Sequence, residues 1–321
     1  MSKYSIVIPV YYNEGVLPFT MTALYNEVIS ANLQHTCEII FIDDGSGDGS
    51  LDQLLKFREQ YPEIVNVIKL TRNFGQVNAI MAGLSFIEGD CAIIMAADNQ
   101  DPAELISDML TYHFDEHFDI VIARRIGRDE SAYRIWTSRI FYRLMQLLSF
   151  KNMPIGGFDY VLMSRRVTAT LLRNQEATPF FQGQILWTGF STKFIDYHRR
   201  KREIGKSRWT LAKKITYLLD GVIGYSFLPI RLMSIIGFIV AMSGFFYAFI
   251  IIISKLFWGL PVEGWAPLMV SILALGGMQM LMLGLIGEYL WRVLAQVRNR
   301  DPYVIDSIYP TKSAQEKNGQ L

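Results

Sequence analysis

The sequence lacks what a disulfide framework, a zinc site or a nucleic-acid surface would need. Among its 321 residues there are two cysteines, Cys37 and Cys91, and their separation is not a metal-ligand spacing. The 31 basic and 30 acidic residues leave a net charge of +1, which argues against nucleic acid as a partner. The start of the chain holds one lysine and a short apolar run that Pro9 interrupts, too little for a secretory signal. We therefore expect the N-terminal part to stay in the cytoplasm.

Charge is also absent from two long runs near the C-terminus. Neither Leu232–Ser254 nor Gly264–Gly287 contains an acidic or basic residue, and each run exceeds the roughly 20 residues that a helix needs to cross a bilayer. We predict a two-helix transmembrane hairpin over residues 230–292. The alternative, two buried helices of a large soluble protein, is disfavoured because the chain has too little other material to cover helices that are apolar on all sides.

Basic residues flank this hairpin and avoid its connecting loop. They are dense before the first run and follow the second, whereas the loop around Pro261–Trp265 holds one acid and no base. By the positive-inside bias, both termini face the cytoplasm. Apolar residues at helical spacing beside Lys213 and Lys214 predict a juxtamembrane amphipathic helix over residues 209–229, lying in the headgroup layer. Residues 293–321 are expected to form a cytoplasmic tail.

The N-terminal two thirds of the chain alternate between short apolar runs and longer segments of helical character. This alternation predicts a doubly wound α/β domain, with its ligand site at the carboxyl ends of the strands. The predicted strands are Ser5–Val10, Cys37–Ile42, Val65–Leu70, Cys91–Met95 and Asp119–Ile122. The predicted helices between them are Leu17–Asn32, Ser50–Tyr61, Gln76–Phe86 and Ala103–His117.

Polar clusters follow three of these strands, where the ligand site is expected. They are Tyr11–Glu14, Asp43–Gly49 and Asp98–Asp101. The dinucleotide fingerprint G-x-G-x-x-G is absent from the first strand-helix turn, which weakens a nicotinamide or flavin interpretation. A carboxylate of Asp43 or Asp44 can instead accept hydrogen bonds from a ribose hydroxyl or a base N–H, although Asp-Gly-Ser also occurs as an ordinary turn.

Asp98 and Gln100 present two hard oxygen donors two residues apart. They can share a Mg²⁺ or Mn²⁺ ion whose remaining ligands are diphosphate oxygens and water. The competing interpretation makes Asp98 or Asp101 a helix N-cap in front of Pro102 at the first helical position. We prefer the N-cap for Asp101 and the metal site for Asp98.

With these motifs in this order, the chain resembles the family 2 glycosyltransferases, in the polyprenyl-phosphate branch that includes dolichol-phosphate mannose synthase and the bactoprenol glucosyltransferases. The resemblance covers almost the whole chain and implies a Rossmann-like GT-A domain with a parallel-rich sheet over residues 1–208, ahead of the amphipathic helix and the two transmembrane helices. The matching pieces are Ser5–Tyr11, Ile42–Ser46, Asn73–Gln76, Asp98–Pro102, Gly157–Asp159, Arg202–Ser207 and Gly284–Arg292.

The resemblance also implies roles for individual residues. Asp98 and Gln100 hold the metal cofactor, with Asp98 counted as catalytic, and Asp159 matches the family's proposed base. Because a phosphate acceptor is largely dianionic at neutral pH and barely needs a base, Asp159 alternatively orients the acceptor or the sugar, or is only structural. The expected nucleotide-sugar-binding residues are Pro9, Tyr11, Glu14, Asp43, Asp44 and Gln76. The expected acceptor-phosphate-binding residues are Arg124, Arg134, Ser138, Arg202, Lys206 and Ser207, with Arg125 a further candidate.

The implied reaction is an inverting transfer of one sugar to a polyprenyl phosphate at the cytoplasmic face of the membrane. By default it takes glucose from UDP-glucose to undecaprenyl phosphate, for modification of envelope glycans. Basic residues Arg199–Lys201 are interpreted as a belt that attracts anionic lipid. Glycines such as Gly237 and Gly276 offer surfaces on which the transmembrane helices can pack into a homo-oligomer.

Two other classes of protein remain open. Ala96 stands where the branch often has an Asp, so a catalytically inactive membrane paralogue is one alternative. A processive polysaccharide synthase is the other, because it shares the donor-binding fold and the membrane anchor. Its usual Q-x-x-R-W motif is incomplete here, since no Gln stands at the required place before Arg208-Trp209.

Overall fold

In the computed structural model, the chain divides into two compact units, Met1–Leu218 with Asp301–Leu321, and Leu219–Arg300. The residues whose structure is described are 2–32, 34–126, 142–143, 146, 152–154, 156–177, 179–200, 220–258 and 264–312.

The first unit is an α/β domain and the second is helical. The strands are β1 (Lys3–Val10), β2 (Thr36–Asp43), β3 (Val65–Leu70), β4 (Cys91–Ile94), β5 (Ile120–Arg125), β6 (Val161–Ser164), β7 (Thr192–Tyr197) and β8 (Ile305–Tyr309). The helices are α1 (Leu17–Ala23), continued by a π-helical segment (Leu24–Ile29), α2 (Ser50–Gln60), α3 (Gln76–Leu84), α4 (Leu105–Phe114), α5 (Arg165–Arg173), α6 (Phe181–Trp187), α7 (Leu228–Trp258) and α8 (Trp265–Val297).

The described strands form one sheet in the order β7-β5-β6-β4-β1-β2-β3-β8. The pairs β1–β2, β1–β4, β2–β3 and β5–β7 are parallel. The pairs β4–β6, β5–β6 and β3–β8 are antiparallel. The predicted α/β class and the five predicted strands are therefore confirmed. Three further strands join the sheet, and two of them, β6 and β8, make it mixed because they pair antiparallel.

The centre of the sheet is buried on both faces, which explains why its strands read as continuous apolar runs. On one face, Ile6 of β1 and Leu17 of α1 belong to the same core cluster. On the other face, α3 approaches so closely that a Cβ on Gly83 would lie 2.6 Å from Val7 Cγ1. The two layers of helices hold the strand ends in fixed positions, and the candidate site is built at those ends.

Strand β8 was not predicted and lies within the segment expected to form a tail. It pairs with β3, and Thr71 N, just beyond β3, donates a hydrogen bond of 3.0 Å to Val304 O. Beyond the strand, Thr311 N donates to Asn66 Oδ1 over 2.7 Å. The strand thus covers the edge of β3, whose backbone groups would otherwise be exposed.

The second unit contains two helices that are long and apolar enough to cross a membrane, over Leu228–Ser254 and Pro267–Val297. Their large apolar side chains face outward; Phe245, for example, is 74% exposed. Such a surface is unfavourable in water and suits a lipid environment. The predicted loop between them and residues 209–219 of the predicted amphipathic helix lie outside the described residues.

One ion-pair cluster joins the two flanks of this hairpin. Arg292 Nη2 lies 2.7 Å from Asp220 Oδ1 and 3.1 Å from Glu288 Oε1. Asp220 precedes α7, and Arg292 lies near the end of α8. Both flanks of the hairpin therefore lie at the same end of the unit, as the predicted hairpin requires.

Candidate active site

The sheet brings side chains from five of its strands to one edge, the edge formed by the carboxyl ends of β2, β4, β5 and β7. Asp43 ends β2, Asp98 follows β4, and Arg125 ends β5. Strand β6 runs antiparallel to β4 and β5, so Asp159, which precedes β6, lies at the same edge. Tyr197 ends β7 and is the register partner of Arg125. The edge thus carries acids and bases that are far apart in the sequence.

Asp43 is fully buried at the end of β2. Its Oδ1 accepts a hydrogen bond of 3.2 Å from Ser46 N. Its Oδ2 is buried and has no hydrogen-bond partner among the described residues. Burial raises the pKa of Asp43 because the charged carboxylate has lost solvation. This unused oxygen can accept a hydrogen bond from a ligand.

Asp44 has no such unused oxygen. Its Oδ1 accepts from Phe74 N over 2.7 Å, and its Oδ2 accepts from Gly75 N over 3.0 Å. Burial raises the pKa of Asp44 to about 6, although both hydrogen bonds favour the charged form. At Gly45, φ is +68° and a Cβ would lie 2.6 Å from the carbonyl carbon of Arg72. Asp44 therefore fixes residues 72–75 against the turn after β2.

The turn after β1 is bound to the turn after β2. Glu14 Oε2 accepts a hydrogen bond of 3.0 Å from Gly49 N, and Tyr12 N donates to Ser46 Oγ over 3.1 Å. The ring of Tyr12 stands edge-to-face on Tyr11, with centroids 4.7 Å apart. These contacts hold the two turns together as one surface, which we call the wall of turns.

The other residues predicted to bind the nucleotide sugar lie around this wall. Pro9 is half-buried near the end of β1, and Gln76 is exposed at the start of α3. Gly75, the N-cap of α3, has a φ of 93°. Its amide donates to Asp44, so the carboxylate lies beside the start of α3.

The turn after β4 is held by the segment after β7. Asp98 is 9% exposed; its Oδ1 accepts from Gln100 N over 3.3 Å, and its Oδ2 lies 3.6 Å from Arg199 Nη2. Gln100 Nε2 donates to Arg200 O over 3.2 Å, and Arg200 N donates back to Gln100 O over 2.9 Å. The predicted metal residues therefore contact the segment that leads toward the predicted acceptor-binding loop.

The donor atoms present at this turn fit a hard divalent cation that takes most of its ligands from a substrate. Asp98 offers a carboxylate, Gln100 an amide oxygen, and Asn99 has a buried Oδ1 without a hydrogen-bond partner among the described residues. No group of three His, Cys, Asp or Glu side chains that could hold a metal occurs in the described part of the chain. Mg²⁺ in particular is commonly held by one or two protein ligands together with substrate phosphates.

The N-cap predicted for Asp101 is wrong. Helix α4 begins at Leu105, its N-cap residue is Glu104, and no side chain caps it. Asp101 is fully buried, and its Oδ1 accepts a hydrogen bond of 2.7 Å from Tyr197 Oη. Burial raises the pKa of Asp101, and the nearby Arg199 guanidinium opposes that rise. Asp101 therefore contacts the side chains of Tyr197 and Arg199 and does not cap the helix.

Arg125 joins two of these strand ends. Its Nη2 lies 2.7 Å from Asp159 Oδ2, and its Nε donates to Tyr197 Oη over 3.1 Å. Burial alone would lower the pKa of Arg125, but the charges of Asp159 and Asp101 outweigh burial and raise it. On the other side of Asp159, Gln182 Nε2 lies 3.5 Å from Oδ1. The predicted catalytic carboxylate is thus held between an arginine and an amide.

Arg124, one residue earlier, has a different partner. Its Nη2 donates to Asp196 Oδ2 over 2.8 Å, and both side chains are exposed. A lipid phosphate would have to replace Asp196 as the partner of Arg124. The remaining predicted acceptor residues, Arg134, Ser138, Arg202, Lys206 and Ser207, lie outside the described residues.

Two arginines of the predicted lipid-attracting belt have partners within the domain. Arg199 lies between Asp98 and Asp101, and Arg200 Nη2 lies 2.8 Å from Glu104 Oε2. These ion pairs give both arginines a role within the domain, and their attraction to anionic lipid stays a prediction. Lys201 lies outside the described residues.

Sequence reasoning missed two side chains of this edge, Tyr197 and Gln182. Tyr197 ends a run in which Phe194 and Ile195 mark a strand, and recognising that strand would have placed Tyr197 at the edge. Gln182 lies on the short helix α6 and is 4% exposed. Nothing in the local sequence distinguishes it from a surface glutamine.

Comparison with known proteins shows to which family the sequence is similar. The family described as "Glycosyl transferase family 2" matches residues 5–172. The "Uncharacterized glycosyltransferase YkcC" of Bacillus subtilis is 34% identical over 308 residues, covering 96% of this chain and 94% of that protein. The "SfII prophage-derived bactoprenol glucosyl transferase" of Shigella flexneri is 33% identical over 305 residues, covering 94% of this chain and 97% of that protein.

Solved structures are more distant. The crystal structure of S. aureus TarS 1-349 in complex with UDP-GlcNAc is 18% identical and covers 68% of this chain and 64% of that chain, with a TM-score of 0.46. This score is too low to bear on the assignment of individual site residues.

Proposed function

The chain belongs to glycosyl transferase family 2, and on this premise we propose that it transfers a single glucose from UDP-glucose to a polyprenyl phosphate, undecaprenyl phosphate in particular. The mixed sheet with its flanking helices is of the GT-A type. The observation that carries the proposal is the sheet edge that carries Asp43, Asp98 and Asp159, in a chain similar over 94% of its length to a bactoprenol glucosyl transferase.

The donor is proposed to bind on the β1–β2 side of this edge. Asp43 Oδ2 is the acceptor for a ribose hydroxyl or a base N–H, because it lies next to the turns after β1 and β2 and has no hydrogen-bond partner among the described residues. Tyr11 and Glu14 shape the wall beside it, with Pro9, Gln76 and the structural carboxylate of Asp44 around them. A Mg²⁺ or Mn²⁺ ion held by Asp98 and Gln100 would offset the charge of the departing diphosphate.

The transfer itself is proposed to occur beside Asp159. An oxygen of the acceptor phosphate forms a bond to the anomeric carbon while the bond from that carbon to the diphosphate breaks, so the configuration inverts. The acceptor oxygen is already anionic near neutral pH, so Asp159 need not remove a proton from it. Asp159 then orients the acceptor or the sugar hydroxyls, and Arg125 and Gln182 fix its two oxygens.

The two apolar helices support a lipid as the second substrate. A polyprenyl phosphate resides in the bilayer, and α7 and α8 are long and apolar enough to anchor the chain there. We propose the orientation that the basic flanks predict, with residues 1–208 as the cytoplasmic catalytic domain and residues 293–321 also cytoplasmic. Arg124, Arg134, Ser138, Arg202, Lys206 and Ser207 remain the proposed contacts of the acceptor phosphate.

The proposal is tested by measuring sugar transfer to undecaprenyl phosphate with the purified full-length protein. Radiolabelled nucleotide sugars are offered one at a time with undecaprenyl phosphate and Mg²⁺ or Mn²⁺, and label is followed into the organic phase. We expect metal-dependent transfer of one glucose from UDP-glucose, abolished by Asp98→Ala and retained by Asp115→Ala, an exposed carboxylate outside the site.

Other outcomes would contradict the proposal in distinguishable ways. A polymer in place of one sugar per lipid would indicate a processive synthase. Nucleotide binding without transfer from any donor would indicate an inactive paralogue, in which Ala96 has removed a required carboxylate; Ala96→Asp should then create activity.

A further inference from the structure

Tyr197 is a buried residue for which the proposed function gives no role. It is 4% exposed at the end of β7, and its ring stands edge-to-face on Tyr160 with centroids 6.1 Å apart. The parallel register of β5 and β7 sets it directly beside Arg125. A tyrosine whose hydroxyl is removed from water needs hydrogen-bond partners, and both of its partners are groups of the candidate site.

The hydroxyl of Tyr197 connects the carboxylate of Asp101 to the guanidinium of Arg125. It donates to Asp101 Oδ1 over 2.7 Å and accepts from Arg125 Nε over 3.1 Å. The other end of the Arg125 guanidinium lies 2.7 Å from Asp159 Oδ2. A guanidinium is a rigid planar fork, so a contact at Nε fixes the direction in which Nη2 points.

Asp101 anchors this arrangement at its buried end. It is fully buried, and its Oδ2 has no hydrogen-bond partner among the described residues. Arg199 Nε lies 3.5 Å from Oδ1, farther away than the Tyr197 hydroxyl. Asp159, in contrast, has a side chain that is 46% exposed. Burial therefore decreases from Asp101 through Tyr197 and Arg125 to Asp159, the carboxylate that the proposed function assigns to the substrate.

We propose that Tyr197 is a positioning residue for the transfer reaction: supported by Asp101, it holds the Arg125 guanidinium at the angle that orients the Asp159 carboxylate. The proposal rests on the proposed function, because Asp159 is the group that acts on the acceptor or the sugar there. Because Tyr197 is buried, we do not expect it to contact either substrate. Its loss should lower the turnover number and leave the binding of the nucleotide sugar almost unchanged.

Tyr160 provides a matched control for the same chemical change. It is fully buried next to Tyr197, and its hydroxyl donates to the backbone oxygen of Pro102 over 3.1 Å. Neither its hydrogen bond to Pro102 nor its ring contact with Tyr197 involves Arg125 or Asp159. Tyr160→Phe and Tyr197→Phe each delete one buried hydroxyl, and Tyr197→Phe should lower the melting temperature more because its hydroxyl bonds two charged groups.

The two variants should separate in the glucose-transfer assay. For Tyr197→Phe we expect kcat to fall by about 10- to 100-fold, as for the loss of a hydrogen bond to a charged group, with KM for UDP-glucose within about twofold of wild type. Tyr160→Phe should keep kcat within about twofold. Equal kcat values for the two variants would overturn the proposal. If Tyr197→Phe does not fold, Asp101→Asn should show the same fall in kcat without a change in KM.

A crystal structure of Tyr197→Phe supplies a readout that does not require activity. We expect the Arg125 guanidinium to rotate and its contact with Asp159 to be lost, whereas Tyr160→Phe should retain that contact. An unchanged contact in Tyr197→Phe would overturn the proposal even if kcat fell. If the wild-type chain transfers no sugar from any donor, the proposed function fails, and the geometry of Arg125 and Asp159 alone decides whether Tyr197 positions them.

Discussion

The two halves of the sheet edge hold their acids in different ways. On the β1–β2 side, Asp44 and Glu14 accept hydrogen bonds from backbone amides of neighbouring turns. On the β4–β7 side, Asp101 and Asp159 contact side chains that arrive from other strands, Tyr197 and Arg125. One half is a wall of turns bound to each other. The other is a row of charges, formed by Asp101, Arg125 and Asp159, with the Tyr197 hydroxyl between Asp101 and Arg125.

This difference suits the two tasks proposed for the halves. Backbone amides cannot change position without moving a whole turn, so they fix a binding surface for a nucleotide. Side-chain pairs of opposite charge can exchange partners when a charged substrate enters. Binding should therefore depend most on the first half and the rate of transfer most on the second.

The largest effect is expected from breaking the row of charges at Arg125. Arg125→Gln leaves Asp159 without its cation and removes the guanidinium from the Tyr197 hydroxyl, and this should lower the free energy of unfolding by about 3 kcal/mol and kcat by about 100-fold. Thermal unfolding in detergent and the transfer assay measure the two effects. A variant as stable and active as wild type would show that the row has no functional role.

The wall of turns should be most sensitive at Gly45, where φ is positive and a Cβ would collide with the backbone of Arg72. Gly45→Ala should lower the free energy of unfolding by about 2 kcal/mol and weaken UDP binding, because residues 72–75 must shift. Gly189→Ala is the control. Gly189 also has a positive φ, of 70°, but nothing lies within 4 Å of its Cβ position, so that only strain of about 1 kcal/mol is expected.

The sequence predicts the parts of the site that local patterns encode, and it does not predict the parts that depend on pairing between segments far apart in the chain. The strands β1 to β5 are continuous apolar runs, and the motifs at Asp43 and Asp98 directly follow two of them. Strand β6 has only four residues, β7 is half-exposed, and β8 pairs with a strand more than 230 residues earlier. No local pattern encodes such pairings, so the row of charges that they assemble was not predicted.

Asp101 shows why a correct local rule gave a wrong assignment. An Asp before a Pro suits the start of a helix, and α4 does begin nearby. The hydroxyl of Tyr197, 96 residues away in the sequence, is the stronger partner for a carboxylate that the sheet buries. Tertiary structure therefore decided the role of Asp101.

A smaller effect should appear in the pH dependence of stability. The pKa of Asp44 is about 6 in the folded protein against an ordinary value of 3.8, so between about pH 4 and 6 the folded state binds more protons than the unfolded state at this group. Its contribution to stability is present below pH 4 and is lost as the pH rises through 6. Relative to Asp44→Asn, the wild type should lose about 2 kcal/mol across this window.

Denaturant titrations of both proteins at several pH values measure this difference. Asp108→Asn, at an exposed carboxylate on α4, is the control and should follow the wild type. Parallel pH profiles of wild type and Asp44→Asn would contradict the account of Asp44 as a carboxylate buried among backbone amides.

The smallest effect is expected at Arg124, which shares a strand with Arg125 but faces solvent with Asp196. Arg124→Gln should change the free energy of unfolding by less than about 1 kcal/mol, because solvent screens exposed ion pairs. Thermal unfolding beside Arg125→Gln measures the contrast. A loss as large as that of Arg125→Gln would mean that burial does not distinguish the two arginines.

The division of tasks between the two halves is tested most directly by measuring UDP affinity and single-turnover transfer rate in Asp43→Asn and Asp159→Asn. We predict that Asp43→Asn weakens UDP binding by about tenfold and leaves the rate at saturating donor near that of wild type. Asp159→Asn should retain UDP affinity and transfer about 100-fold more slowly. If both variants lose affinity and rate together, or if the two effects are exchanged, the division between a binding half and a transfer half is wrong.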